Sequence, residues 1–105
     1  VEKKFYGVYV ALLTPFDEKD RLDIGKLRKL VNFLLSKEIN GLYICGSSGE
    51  GFLMNVAERK LVAEVVKDEV REKVRIIAQV GSYDARDAIE LARHAEKIGL
   101  DGLSS

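Results

Sequence analysis

The sequence predicts an α/β fold built on a parallel sheet, and two observations predict it. Short, continuously apolar runs begin near residues 7, 41, 74 and 101, and the segments between them carry apolar residues at helical spacing. The period is about 30 residues, the length of one strand–helix–strand crossover. Alternation of this kind joins parallel strands through right-handed connections. The composition agrees: 47 % hydrophobic and 32 % charged residues over 105 positions suit a globular chain and not a disordered one.

Each element has its own signals. Gly7 to Leu13 is partly β-branched and lacks polar alternation, as a strand covered on both faces does, and Pro15 with the polar Asp17 to Asp20 closes it. Val1-Glu2-Lys3-Lys4 ahead of this run loosely imitates a signal peptide. The apolar stretch is short and no small-x-small site follows, so the run reads as a buried strand. Asp23 can cap a helix in which Leu27, Leu30, Val31, Leu34 and Leu35 form one stripe, and Asn40-Gly41 is expected to end it at positive φ. Gly41 to Cys45 is the second strand, and Gly46-Ser47-Ser48-Gly49-Glu50-Gly51 is a loop. Asn55 and Glu58 make a variant capping box for a helix expected to turn Leu61, Val62, Val65 and Val66 inward. Val74 to Val80 is the third strand. Asp84 begins a third helix with Ala85, Ala88, Ile89, Ala92, Ala95 and Ile98 on one side and Gly99 as its stop. Leu100 to Ser104 opens a fourth strand. Periodicity alone leaves two architectures open, a doubly wound open sheet or the first part of an eight-fold β/α barrel.

Charge and cysteine content exclude several function classes. Seventeen Lys+Arg balance 17 Asp+Glu, so no basic stripe follows a phosphate backbone and no polybasic cluster holds a membrane. No apolar stretch reaches the ~20 residues of a span. The single cysteine, Cys45, removes an intrachain disulfide or a Cys-based zinc site and fits a reducing compartment, hence a cytoplasmic location.

In either architecture ligands gather at the carboxyl ends of the strands, here Leu12 to Phe16, Cys45 to Gly51, Val80 to Tyr83 and Ser104-Ser105. Only the second is chemically distinctive. Gly46 and Gly49 let the backbone turn and approach a ligand, and consecutive amides in such a turn form an anion-binding concavity to which the Ser47 and Ser48 hydroxyls add donors. A small carboxylate or phosphate suits it; a plain polar loop is the alternative. Three motifs fail here. The nucleophile elbow needs G-x-S-x-G, a dinucleotide fingerprint starting at Gly49 breaks at Met54, and no Gly-Lys-Ser/Thr supports a P-loop. His94 lies on the flank of the third helix and reads as a surface or half-buried side chain. Cys45 reads as a small packed hydrophobe, and Glu50 as turned away from a bound anion. Thr14, beside Pro15, reads as a turn residue.

Gly41-Leu42-Tyr43-Ile44-Cys45-Gly46-Ser47-Ser48-Gly49-Glu50-Gly51, with Glu58 beyond it, resembles the first signature of the pyruvate-dependent class I aldolases, the N-acetylneuraminate lyase and dihydrodipicolinate synthase family. Gly7 to Asp17 is similar to that family's first strand, and Ala78-Gln79-Val80-Gly81 to its third. The resemblance implies that residues 1–105 are the N-terminal part of a single eight-fold β/α (TIM) barrel domain, about three and a half β-α units. Ala11-Leu12-Leu13-Thr14-Pro15-Phe16-Asp17, Gly41-Leu42-Tyr43 and a serine first in the hydroxyl pair look most like the lyase branch. Ser48 stands where the family commonly has Thr, which keeps the donor and loses a methyl.

The resemblance further implies Schiff-base chemistry on a keto acid, without metal or cofactor. Ser47 and Ser48, with their amides and that of Gly49, would hold the pyruvate carboxylate, and Ser47 would share a proton relay with a tyrosine. The expected reaction is cleavage of N-acetylneuraminate to N-acetylmannosamine and pyruvate, with condensation of pyruvate and aspartate semialdehyde as the alternative. The family's lysine and relay tyrosine belong to its sixth and fifth strands, past Ser105. None of the ten lysines here has the desolvated pocket that imine formation requires, so residues 1–105 alone are expected to be inactive. A homotetramer is also implied. The alternatives from other classes are a self-standing anion-binding α/β module, and a half-barrel that pairs with another half.

Overall fold

The computed structural model describes residues 7–46 and 51–105. In chain order these form β1 (Tyr9–Ala11), α1 (Ile24–Leu35), β2 (Gly41–Ile44), a 3-10 turn (Gly51–Leu53), α2 (Val56–Val70), β3 (Arg75–Gln79), α3 (Ala85–Ile98) and β4 (Gly102–Ser104). The strands are shorter than the apolar runs that announce them, because the run ends leave the ladder to turn into loops.

The four strands make one parallel sheet in the order β1-β2-β3-β4. That order decides between the two architectures. A doubly wound sheet reverses its strand order at a switch point, and here none occurs among the described strands. Sequential right-handed crossovers put every helix on one face, and α2 accordingly packs against both α1 and α3. The sheet is a stretch of barrel wall.

The core lies between sheet and helices. Leu42, Ile44 and Ile76 point from the strands onto Leu27, Val31, Val62, Val66 and Val70, all at most 1 % exposed. Each such side chain contributes roughly 1.5–3 kcal/mol by leaving water. Tyr9, Tyr43, Ile77 and Ser104 occupy alternate register positions and are half-buried on the opposite face.

The helix starts follow the sequence. Asp23 accepts from the Lys26 amide, Asn55 and Glu58 exchange both capping-box bonds, and Asp84 accepts from the Arg86 amide. Gly99 closes α3 in the left-handed conformation. Three expectations are corrected. Helix α1 stops at Leu35 with Ser36 as its cap, and Asn40-Gly41 does not end it. Asn40 instead fastens the sheet: its side-chain oxygen accepts from Val8 N at 2.7 Å, its amide donates to Val8 O at 2.8 Å, and its carbonyl accepts from Arg75 N at 3.0 Å. Leu61 (36 %) and Ile89 (52 %) are exposed. At 100° per residue, Ile89 lies about 160° around α3 from the buried Leu91 and Leu61 about 140° around α2 from Val66. The true inward stripes run through Leu91 and Ala95, and through Arg59, Val62, Ala63 and Val66.

Candidate functional site

The distinctive loop leaves β2 through two unusual residues. Cys45 adopts φ 59°, a left-handed conformation that non-glycine residues seldom take. This turns the chain off the strand axis immediately after Ile44. Gly46 follows under the Tyr43 ring, where a Cβ would sit 2.5 Å from Tyr43 Cε1. The loop closes at its far end, with Gly51 N donating to Gly46 O at 3.0 Å. A Cβ on Gly51 would lie 1.8 Å from Cys45 O, a backbone atom that cannot swing aside. Glycine at 46 and 51 is therefore a steric requirement. Ser47, Ser48, Gly49 and Glu50, the candidate anion-binding residues and their neighbour, lie outside the described residues. Their two anchors sit at the carboxyl end of β2, where the sequence pattern places a ligand.

Beside this loop is the exit of β3, and Arg59 ties the two regions together. It extends from the first turns of α2 with only 4 % exposure. Its Nη1 donates to Gly81 O at 2.8 Å and its Nη2 to Gln79 O at 2.6 Å. Its guanidinium lies 5.9 Å from the ring centroid of Phe52, in the turn after the loop. Phe52 in turn meets Tyr83, the loop residue after β3, with ring centroids 5.3 Å apart. Gln79 Oε1 accepts from Gly81 N at 2.6 Å. Two neighbouring rims are thus held by one buried cation and an aromatic pair.

On the open face, Tyr43 Oη donates to Ser104 Oγ at 3.0 Å, joining β2 to β4 across β3. Thr14, at the exit of β1, is buried at 8 % exposure.

The remaining candidates fall where their chemistry is ordinary. Cys45 is 3 % exposed, and burial pushes its thiol up to about 11, against a downward pull from the Arg59 guanidinium. It is a packed thiol and not a nucleophile. His94 stands on α3 with Nε2 2.6 Å from Glu64 Oε2, a contact between α3 and α2. The Glu58 carboxylate is spent on the amide of Asn55 at 2.9 Å. No lysine among the described residues is buried. Lys60 pairs with Glu90, Lys67 donates to Gly99 O at 3.1 Å, and Lys37 lies over the Phe33 ring. Among the described residues no three His, Cys, Asp or Glu side chains gather to hold a metal, and no helix is long and apolar enough to cross a membrane.

Two participants escape the sequence reading, although each leaves a trace there. Arg59 interrupts an otherwise apolar inward stripe, and a cation in such a place needs acceptors. Tyr43 is the one hydroxyl in an aliphatic strand, and a tyrosine so placed seeks a partner.

The sequence profile of the dihydrodipicolinate synthetase family matches residues 4–105. Among solved structures, CdNal of Clostridium difficile, in complex with mannosamine, is 37 % identical with TM-score 0.92, covering 94 % of this chain and 34 % of its own. N-acetylneuraminate lyase of Mycoplasma synoviae is 33 % identical with TM-score 0.93, covering 98 % and 36 %. Dihydrodipicolinate synthase of Aquifex aeolicus is 30 % identical with TM-score 0.88, covering 94 % and 33 %. The chain spans about a third of the length of the solved structures it matches.

Proposed function

The chain belongs to the dihydrodipicolinate synthetase family, and from that membership we propose that the loop leaving β2 is the keto-acid carboxylate site of a class I aldolase. The observation that carries the proposal is the pair of anchors at Gly46 and Gly51. They bracket Ser47-Ser48-Gly49-Glu50 at the carboxyl end of a barrel strand, joined by a 3.0 Å backbone bond. Hydroxyls of Ser47 and Ser48 and the amides around Gly49 hold the carboxylate of the pyruvate moiety. Fixing that end presents the keto carbon to a lysine amine supplied by the full-length protein from outside residues 1–105. Condensation expels water and gives an imine. Cleavage of the neighbouring C–C bond leaves its electron pair in an enamine, and a proton returned to that carbon precedes hydrolysis. Ser47, relaying with a tyrosine, moves that proton.

The substrate is N-acetylneuraminate, split to N-acetylmannosamine and pyruvate. Support comes from Gly41-Leu42-Tyr43 and the Ala11 to Asp17 stretch, and from likeness to N-acetylneuraminate lyase. The same reading makes the protein a cytoplasmic homotetramer. Its test is activity. The full-length protein should cleave N-acetylneuraminate, and Ser47→Ala and Ser48→Ala should each lower kcat/KM by about tenfold or more. Condensation of pyruvate with aspartate semialdehyde, with no sugar-acid cleavage, would move it to the synthase branch. Neither activity would remove the reading.

A further inference from the structure

We infer that Tyr43 is a positioning residue for the carboxylate loop, and that Ser104 holds it in place. The inference rests on the loop reading above and adds the support beneath it. Tyr43 projects from β2 onto the open face of the sheet, away from the helices, where it is half-buried. Its ring lies against Gly46, the residue from which the loop departs. A Cβ there would come within 2.5 Å of Cε1 and 3.0 Å of Cδ1, so ring and backbone are matched surfaces. Its hydroxyl donates to Ser104 Oγ at 3.0 Å, two strands away. Gly46 in turn accepts the Gly51 amide that closes the loop. A continuous line of contacts therefore runs from β4 through the ring to both loop anchors.

The hydroxyl carries the argument beyond packing. A phenyl ring would fill the same space against Gly46. A tyrosine hydroxyl on a partly open face could also bond water at little cost. Directing it to Ser104 instead fixes the ring torsions, and with them the height of Gly46 above the strand ends. Binding sites gain when the shell beneath them is locked before the ligand arrives. Tyr43 acts through Gly46 and not by touching the bound carboxylate.

The test uses full-length protein and compares KM for the cleaved keto acid with kcat. Tyr43→Phe and Ser104→Ala should each raise KM about three- to tenfold, the worth of one hydrogen bond, with kcat changed less than about twofold. The double variant should be no worse than the poorer single one, because the two changes break one contact. Gly46→Ala should raise KM further, and Tyr43→Leu in the same chain should recover part of that loss by removing the ring it strikes. The hydroxyl variants remove no packed volume beyond one oxygen per substituted side chain, so they should fold. Unchanged KM in Tyr43→Phe and Ser104→Ala, while Ser47→Ala raises it, would overturn the role of Tyr43 and leave the loop reading standing. Unchanged KM in Ser47→Ala as well would overturn both. A fall in thermal stability with KM unmoved would make the pair structural only, and so also overturn the inference.

Discussion

Replacing Arg59 by Met keeps the aliphatic stem and removes the guanidinium. Gln79 O and Gly81 O then lose donors at 2.6 and 2.8 Å, in a place where the arginine is only 4 % exposed. A hydrogen bond to a charged group is worth about 1.5–3 kcal/mol, so two would cost about 3–6 kcal/mol. Part of this is returned, because a buried guanidinium is expensive to desolvate. Arg59 Nε is buried with no partner among the described residues, which adds to that return. The expected net loss is about 2–4 kcal/mol. Arg59→Lys should lose roughly half as much, since a compact ammonium cannot span both carbonyls as the fork does. Urea unfolding of the full-length protein measures the difference from the shift in midpoint at constant slope. Deuterium exchange should rise at residues 79–84 in both variants. Arg59→Met within about 0.5 kcal/mol of the parent, the range of an inert surface change, would refute the clamp. Equal stability of the Lys and Arg forms would refute the bidentate geometry.

Three further outcomes follow from the same contacts. Gly51→Ala places a Cβ 1.8 Å from Cys45 O, so the loop must open; pyruvate binding by isothermal titration should become undetectable while far-UV circular dichroism stays near the parent's. Cys45 should be alkylated by iodoacetamide at pH 8 about 100-fold more slowly in the native protein than in urea, as a rise from 9.0 to about 11 requires. Because the folded thiol holds its proton more tightly, its stabilising contribution is complete below pH 9 and fades as pH climbs toward 11; a flat stability profile across that window would contradict it. Hydrogen bonds from the Arg28 and Asn32 side chains hold the Glu69 carboxyl below its ordinary 4.5. Its contribution is therefore present above pH 4.5 and lost as pH falls through the lowered value, and an NMR titration finding Glu69 at or above 4.5 would refute this.

The repeat was readable because parallel strands and amphipathic helices leave different periods, and Asp23, Asn55, Asp84 and Gly99 mark helix ends by local chemistry alone. Ile89 and Leu61 misled because apolar identity does not fix rotation when a small or charged residue can occupy the inward face. Arg59 sits inward since two strand-end carbonyls await it, and those carbonyls are 20 and 22 residues away in sequence. Asn40 misled for a similar reason. Its turn-forming character is local, whereas its three sheet bonds reach β1 and β3. The loop was legible from Gly46 and Gly49, but the need for glycine at 46 and 51 comes from the Tyr43 ring and the Cys45 carbonyl, which no local pattern announces. The Tyr43–Ser104 bond spans 61 positions and has no signal in either segment alone.

As proposed, this chain holds the carboxylate of a keto acid whose carbonyl is attacked by a lysine from elsewhere in the full-length protein. Borohydride reduction in the presence of pyruvate, followed by intact and peptide mass measurement, tests it most directly. One reduced pyruvate adduct per chain is expected, on a lysine outside residues 1–105, with Ser47→Ala and Ser48→Ala needing about tenfold more pyruvate to form it. No adduct, or an adduct on any lysine from Lys3 to Lys97, would contradict it.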